Sequence, residues 1–145
     1  MASVSTYLTF TGDCGPAFET YKAIFGTEYV GEPARYGGMP PSEGMPELAE
    51  NEKDLILNIQ LPILGGHLLM GSDVMSAWSE GVVVGNNVQI CLHPDTREEA
   101  DRLYTALSDG GKADMPMADQ FWGDYYGELT DKYSIKWLVA HTPAS

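Results

Sequence analysis

The chain has 145 residues, 43% of them hydrophobic, and sets 8 Lys and Arg against 21 Asp and Glu for a net charge of -13. That length suits one domain or two very small modules sharing a core, and the apolar share argues against wholesale disorder. The acidity argues against nucleic-acid phosphates and anionic membrane surfaces as partners, and its plainest consequence is solubility.

No apolar run approaches the roughly 20 residues of a membrane helix. The N-terminus has neither a basic n-region nor an apolar h-region, so the expected location is the cytoplasm. Two isolated cysteines, Cys14 and Cys91, make neither a disulfide framework nor a zinc motif, and both are expected as thiols. Cys14 falls in an expected helix N-terminal turn, where a thiolate is favoured, but the preferred reading is a small, partly buried residue.

In chain order, Ser3–Thr11 alternates, with Leu8 and Phe10 on one face and Tyr7, Thr9 and Thr11 on the other: a half-buried strand. Gly12 and Asp13 turn the chain and offer an N-cap. Phe18, Tyr21, Ile24 and Phe25 recur at helical spacing until Gly26 stops the helix. A second strand is expected over Thr27–Tyr36. Residues 37–51, rich in Gly, Pro and Glu with Met39 and Met45, read as a long loop, either a lid or a surface loop. Asp54–Pro62 alternates Leu55, Leu57, Ile59 and Leu61 against Ile56, Asn58 and Gln60. Gly65-Gly66 then turns into a further strand, His67–Gly71. A linker, Ser72–Gly85, contains Trp78.

The order then restarts, about 80 residues on. Asn87–His93 is an expected strand carrying Val88, Ile90 and Leu92 on one face. Thr96 and Glu99 make a capping box. Ala100, Leu103, Tyr104 and Leu107 form an apolar stripe ended by Gly110-Gly111. Three short strands are expected at Lys112–Met117, Phe121–Leu129 and Ser134–His141. The expected fold class is therefore α+β: two βαβββ modules, at about 1–74 and 84–145, within one domain spanning 1–145. They form a curved, cup-shaped mixed sheet whose helices cover the outer face, hiding Leu8, Phe10, Val88, Ile90 and Leu92.

The opposite, inner face carries the chemistry. Alternation places Tyr7, Thr9, Ile56, Asn58, Gln60, Gln89 and Cys91 on it, and FWGDYYGELTDKYSIKW adds Trp122, Tyr125, Tyr126, Tyr133 and Trp137, not all assignable to a face. A polar and aromatic inner surface suits a small-molecule pocket; the competing reading is an aromatic core with glycines at bends. The expected ligand-binding residues are Tyr7, Thr9, Asn58, Gln60, Gln89, Trp122 and Tyr126.

Three segments, YLTFTGDCGPAFETYKAIFG, GGHLLMGSD and FWGDYYGELTDKYSIKW, together resemble the vicinal oxygen chelate superfamily: the glyoxalase, bleomycin-resistance and extradiol dioxygenase group, in its PhnB-like branch. The resemblance covers nearly the whole chain. It implies paired βαβββ modules, a homodimer, and in many members a divalent metal held by His or Glu on the first strand of each module and Glu on the last strand. Matched segment by segment, those positions fall on Tyr7, Gln89 and Leu138, with SIKWLVA standing where Gly-His-x-x-Glu is usual. Phenol and amide are poor ligands for such a metal and an aliphatic chain is none. No metal site and no cofactor is therefore expected.

Of the three histidines, His67 lies in the family-like hairpin and is the candidate base or substrate donor, against the favoured reading of a structural histidine bonded to a loop. His93 and His141 are expected at the surface. Asp73, Asp124, Glu128 and Asp131 are plausible acids, most of them solvated or holding turns, as Asp131 is expected to do. There is no P-loop, dinucleotide fingerprint or nucleophile elbow, and no glycine-rich loop to hold a methyl donor. Two functions follow. The leading one is a metal-independent binding protein for a small molecule, aromatic or cationic, stacked on Trp122, Trp137 or the tyrosines. The alternative is a divalent-metal lyase, isomerase or dioxygenase using an unusual ligand set that includes His67. Whether the chain is an enzyme stays open at this point.

Overall fold

The computed structural model describes residues 1–40, 48–76 and 80–144. Met45 and Trp78 lie outside the described residues. The chain divides into two compact units, Met1–Val83 and Val84–Ser145. Among the described residues each has one α-helix and one four-stranded mixed sheet, and the two share a single topology.

The first unit runs β1 (Thr6–Phe10), α1 (Cys14–Phe25), β2 (Ala34–Arg35), β3 (Ile56–Pro62) and β4 (Leu68–Asp73). Its sheet order is β1-β4-β3-β2, with β1 parallel to β4 and the other pairs antiparallel. The second runs β5 (Ile90–Leu92), α2 (Arg97–Ser108), β6 (Lys112–Asp119), β7 (Tyr125–Thr130) and β8 (Lys136–His141), ordered β5-β8-β7-β6 with β5 parallel to β8. The doubled β-α-β-β-β order read from the sequence is the observed one.

Each helix covers one sheet face because its buried positions recur at helical spacing. In α1 these are Cys14, Ala17, Phe18 and Tyr21; in α2 they are Ala100, Leu103 and Leu107. The approach of α1 is close enough to require glycine beneath it: a Cβ at Gly71 would stand 2.7 Å from Phe18 Cε1 and 3.2 Å from Cys14 Sγ. Opposite α2, a Cβ at Gly127 would stand 2.6 Å from Met117 Sδ and 3.0 Å from Tyr104 Cε2. Burying Phe18, or Trp137 on the α2 side, contributes on the order of 2–3 kcal/mol each.

Two buried aspartates hold the turns. Asp73, 1% exposed, accepts the backbone N–H groups of Gly12 and Cys14 on Oδ1 and of Ile56 on Oδ2, all at 2.9 Å. It thereby caps α1 from a distant strand and ties β3 to it, while the expected cap, Asp13, makes no side-chain cap bond. Asp131 accepts from the N–H groups of Tyr133 and Ile135 and from the Trp137 indole, fixing the β7–β8 turn as expected. Thr96 caps α2 by accepting from the Glu99 N–H.

Several expectations need correction. The long second strand contracts to Ala34–Arg35: those two residues pair with β3 in a ladder, while Val30 upstream makes a single backbone bond to it, donating its N–H to the Gln60 carbonyl at 2.9 Å. Ile56 leaves the inner face: it is buried, and its side chain lies 3.8 Å from where a Cβ on Gly15 of α1 would be, where the β2–β3 register shifts and alternation breaks. Val88 precedes the shortened β5 and is 76% exposed. Trp137 is fully buried, its indole spent on Asp131, so it offers no stacking surface.

Candidate functional site

In each unit the sheet face away from the helix carries the polar and aromatic residues, and the strand register assigns them. In the second unit, Cys91 on β5, Leu138 on β8 and Glu128 on β7 stand in one cross-strand row, with Tyr126 two residues from Glu128 on the same face. Trp137, Val139 and Leu129, of opposite parity, are buried under α2.

Glu128 is the centre of this face. Its Oε1 accepts from the Gln89 side-chain amide at 2.6 Å and its Oε2 from the Tyr126 hydroxyl at 3.1 Å. Both donors are neutral, so the carboxylate is oriented without being neutralised. Burial, and after it the Glu128 carboxylate, holds the Tyr126 phenol above its ordinary range. Trp122, 51% exposed on the β6–β7 connection, meets the Tyr126 ring edge-on at 5.5 Å between centroids, and its indole donates to Asp124 at 3.1 Å. Gly123, at φ 108, lets the chain turn tightly between the indole and Asp124. At the edge strand the Cys91 thiol lies 3.4 Å from His93 Nε2, and it is pushed up by burial and then by the Asp124 charge. At the other end of the face, Lys136 donates to Thr130, which donates to Asp114.

Among the described residues, the paired rows on the corresponding face of the first unit carry no charged side chain. Tyr7, Met70 and Gln60 form one row and Thr9 and Ser72 begin the next, with exposed Asn58 two residues before Gln60 on β3, Tyr7 52% exposed and Ser5 donating to the Met70 sulfur. Thus Tyr7, Thr9, Asn58 and Gln60 come together on one face, and Gln89, Trp122 and Tyr126 on another.

His67 is elsewhere. It shares parity with Leu69 and Asp73 on the helix-covered side of β4 and lies 2.8 Å from Thr6 Oγ1, on the opposite side of the sheet from Tyr7. That is the arrangement of a structural histidine tying the hairpin to β1. His93 is exposed, as expected. His141 is only half-buried and lies 3.0 Å from the Pro94 carbonyl through Nδ1.

The residues at the superfamily's metal positions do not fit a metal. Gln89 points its amide donor at Glu128, Leu138 presents a side chain without donor atoms, and among the described residues no three His, Cys, Asp or Glu side chains form a group able to hold one. Sequence reasoning named Glu128 only as one plausible acid among several. The strict alternation of Tyr126, Glu128 and Thr130 puts all three on one face and was the available signal; its pairing with Gln89 is a tertiary fact.

No family model matches the chain. Protein YjdN of Escherichia coli (strain K12) is 28% identical over 141 residues, covering 94% of this chain and 92% of its own. Among solved structures, protein PA1353 of Pseudomonas aeruginosa is 30% identical with TM-score 0.82, covering 98% of each chain. A PhnB protein of Bacillus cereus is 22% identical with TM-score 0.76, covering 97% of this chain and 100% of its own. A glyoxylase/bleomycin resistance protein/dioxygenase domain from Frankia sp. EAN1pec shares the fold at 12% identity and TM-score 0.64, over 100% of this chain and 95% of its own.

Proposed function

We propose that the chain, which shares its fold with the PhnB protein and the glyoxylase/bleomycin resistance protein/dioxygenase domain, belongs to the vicinal oxygen chelate superfamily and, within its PhnB-like branch, is a small-molecule-binding protein working without the usual metal triad. One observation carries the reading. Where relatives are expected to present metal ligands, this chain presents an amide and an aliphatic side chain, and beside them stands an aromatic pair, exposed Trp122 and half-buried Tyr126, with an oriented carboxylate. Such a surface offers stacking and hydrogen bonding and no Lewis acid. The ligand is an aromatic or cationic small molecule; Tyr7, Thr9, Asn58 and Gln60 form a second polar face of the same character. The working form is a homodimer in the cytoplasm.

A thermal-shift panel of cationic, neutral and anionic aromatic compounds tests this. The reading expects melting-temperature rises with some aromatic members, lost in Trp122→Ala; flat melting throughout the panel refutes it. Metal analysis of protein purified without chelator separates binding from metal catalysis. Stoichiometric zinc, manganese, nickel or iron that disappears in His67→Ala would instead establish the metal-dependent enzyme.

A further inference from the structure

Every cation of the second unit has a neighbour away from Trp122. Arg97 pairs with Asp119 and lies over the Tyr125 ring; Arg102 pairs with Glu99; Lys112 with Asp114. Lys136 donates to Thr130, and Lys132 lies over the Tyr133 ring. These are all five Lys and Arg of residues 84–145. Two carboxylates are left beside the aromatic pair, Glu128 and Asp124. Their hydrogen-bond donors are all neutral: Gln89 and Tyr126 for Glu128, Trp122 and Thr142 for Asp124. Among the described residues neither is in an ion pair.

A half-buried carboxylate is normally matched by a cation from its own chain or left fully in water. Here Glu128 is neither. Each of its oxygens takes one neutral donor, which aligns the group and leaves lone pairs and the full negative charge directed onto the sheet face. The Trp122 ring is half exposed next to it, and an aromatic face attracts cations. An anion placed against Trp122 would meet two carboxylates, Lys136 being held by Thr130 at the other end of the face. A neutral ring would gain only stacking. A planar organic cation would gain stacking, cation–π attraction and an ion pair together.

We propose that this face is a site for aromatic organic cations, with Glu128 as the specificity-determining counter-ion and the Trp122 ring as the stacking wall, Tyr126 standing edge-on beside it; the proposal rests on the binding function above and names its ligand class. Gln89 is a positioning residue, holding the carboxylate toward the ligand.

The test is a matched pair of probes, N-methylacridinium and acridine, under mildly alkaline conditions where acridine is neutral. Calorimetric affinities are measured for the full chain, Glu128→Gln and Trp122→Ala. Glu128→Gln keeps the side-chain shape and an oxygen acceptor, and unchanged circular dichroism checks its fold. Expected is a preference for the cation of roughly tenfold in the wild type, shrinking with added salt and vanishing in Glu128→Gln while acridine affinity holds. Trp122→Ala weakens both probes. A wild type that binds both probes equally, or a preference that survives Glu128→Gln, overturns the counter-ion role and leaves the binding function standing. If neither probe binds the wild type, the proposal and the stacking-wall reading of the site fall together.

Discussion

Replacing Asp73 by Asn tests whether the most family-like motif, GHLLMGSD, is structural. Asp73 accepts three backbone N–H groups at 2.9 Å and is almost wholly buried. An asparagine has one acceptor oxygen. If it faces Gly12 and Cys14, its amide nitrogen meets the Ile56 N–H, and that donor is left buried without a partner at about 1–3 kcal/mol. The two surviving bonds lose their charge assistance, about 1 kcal/mol each. Relief from burying a carboxylate offsets part of the loss, which leaves a net destabilisation of roughly 3 kcal/mol. Against a total stability of about 5–15 kcal/mol this is large. With a urea m-value of about 1.5 kcal/mol/M, the midpoint falls by about 2 M. The assay is urea unfolding followed by far-ultraviolet circular dichroism. A midpoint shift under about 0.5 M at unchanged m would refute the assignment of Asp73 as the staple of the first unit.

Four further outcomes are expected. Gly127→Ala drives a Cβ against Met117 and Tyr104 and costs roughly 1–3 kcal/mol, measured by the same unfolding curve. Ser134 holds the left-handed conformation, at φ 73, in the β7–β8 turn, so Ser134→Gly raises stability by about 0.5–1 kcal/mol; a loss of stability would contradict the strain argument. Native protein treated with iodoacetamide takes one label, on exposed Cys91. Buried Cys14, its thiol pushed well above the ordinary range by burial and then Asp73, reacts only after unfolding, as peptide mass mapping would record. Burial holds Tyr36, Tyr104 and Tyr126 above the ordinary tyrosine range. The unfolded chain therefore ionises first, and the stability these phenols contribute, complete below the ordinary tyrosine pKa, is lost as pH rises through their folded values; thermal melts flat across that alkaline window would count against it.

Sedimentation checks the expected homodimer, which a species of only 15.8 kDa would exclude.

Much of the fold was legible from local patterns because local physics decides it. Alternation in TYLTF and YYGELT, helical spacing in both helices, the left-handed stop at Gly26 and the paired glycines of the β3–β4 turn all act over a few residues. Which side chains share a sheet face was legible for the same reason wherever alternation held, as for Tyr7, Thr9, Gln60 and Tyr126. It failed at Ile56, where a register shift against β2 turns the side chain toward α1, and over Thr27–Pro33, where a single backbone bond from Val30 to Gln60 of β3 does not extend into a ladder.

What only the tertiary structure decided are the pairings of distant groups. Asp73 caps a helix about sixty residues upstream, Trp137 goes into the core because Asp131 satisfies its indole, and His67 sits on the helix side because its hairpin parity puts it there. The carboxylate that defines the candidate site belongs to the same class. Local alternation puts Glu128 on one face with Tyr126, but its orientation also depends on Gln89, thirty-nine residues earlier, which reaches it once β8 has brought β5 and β7 onto one sheet. Periodicity places a side chain on a face, but a charge acquires its role from whichever groups folding brings to it, and those lie far away in sequence.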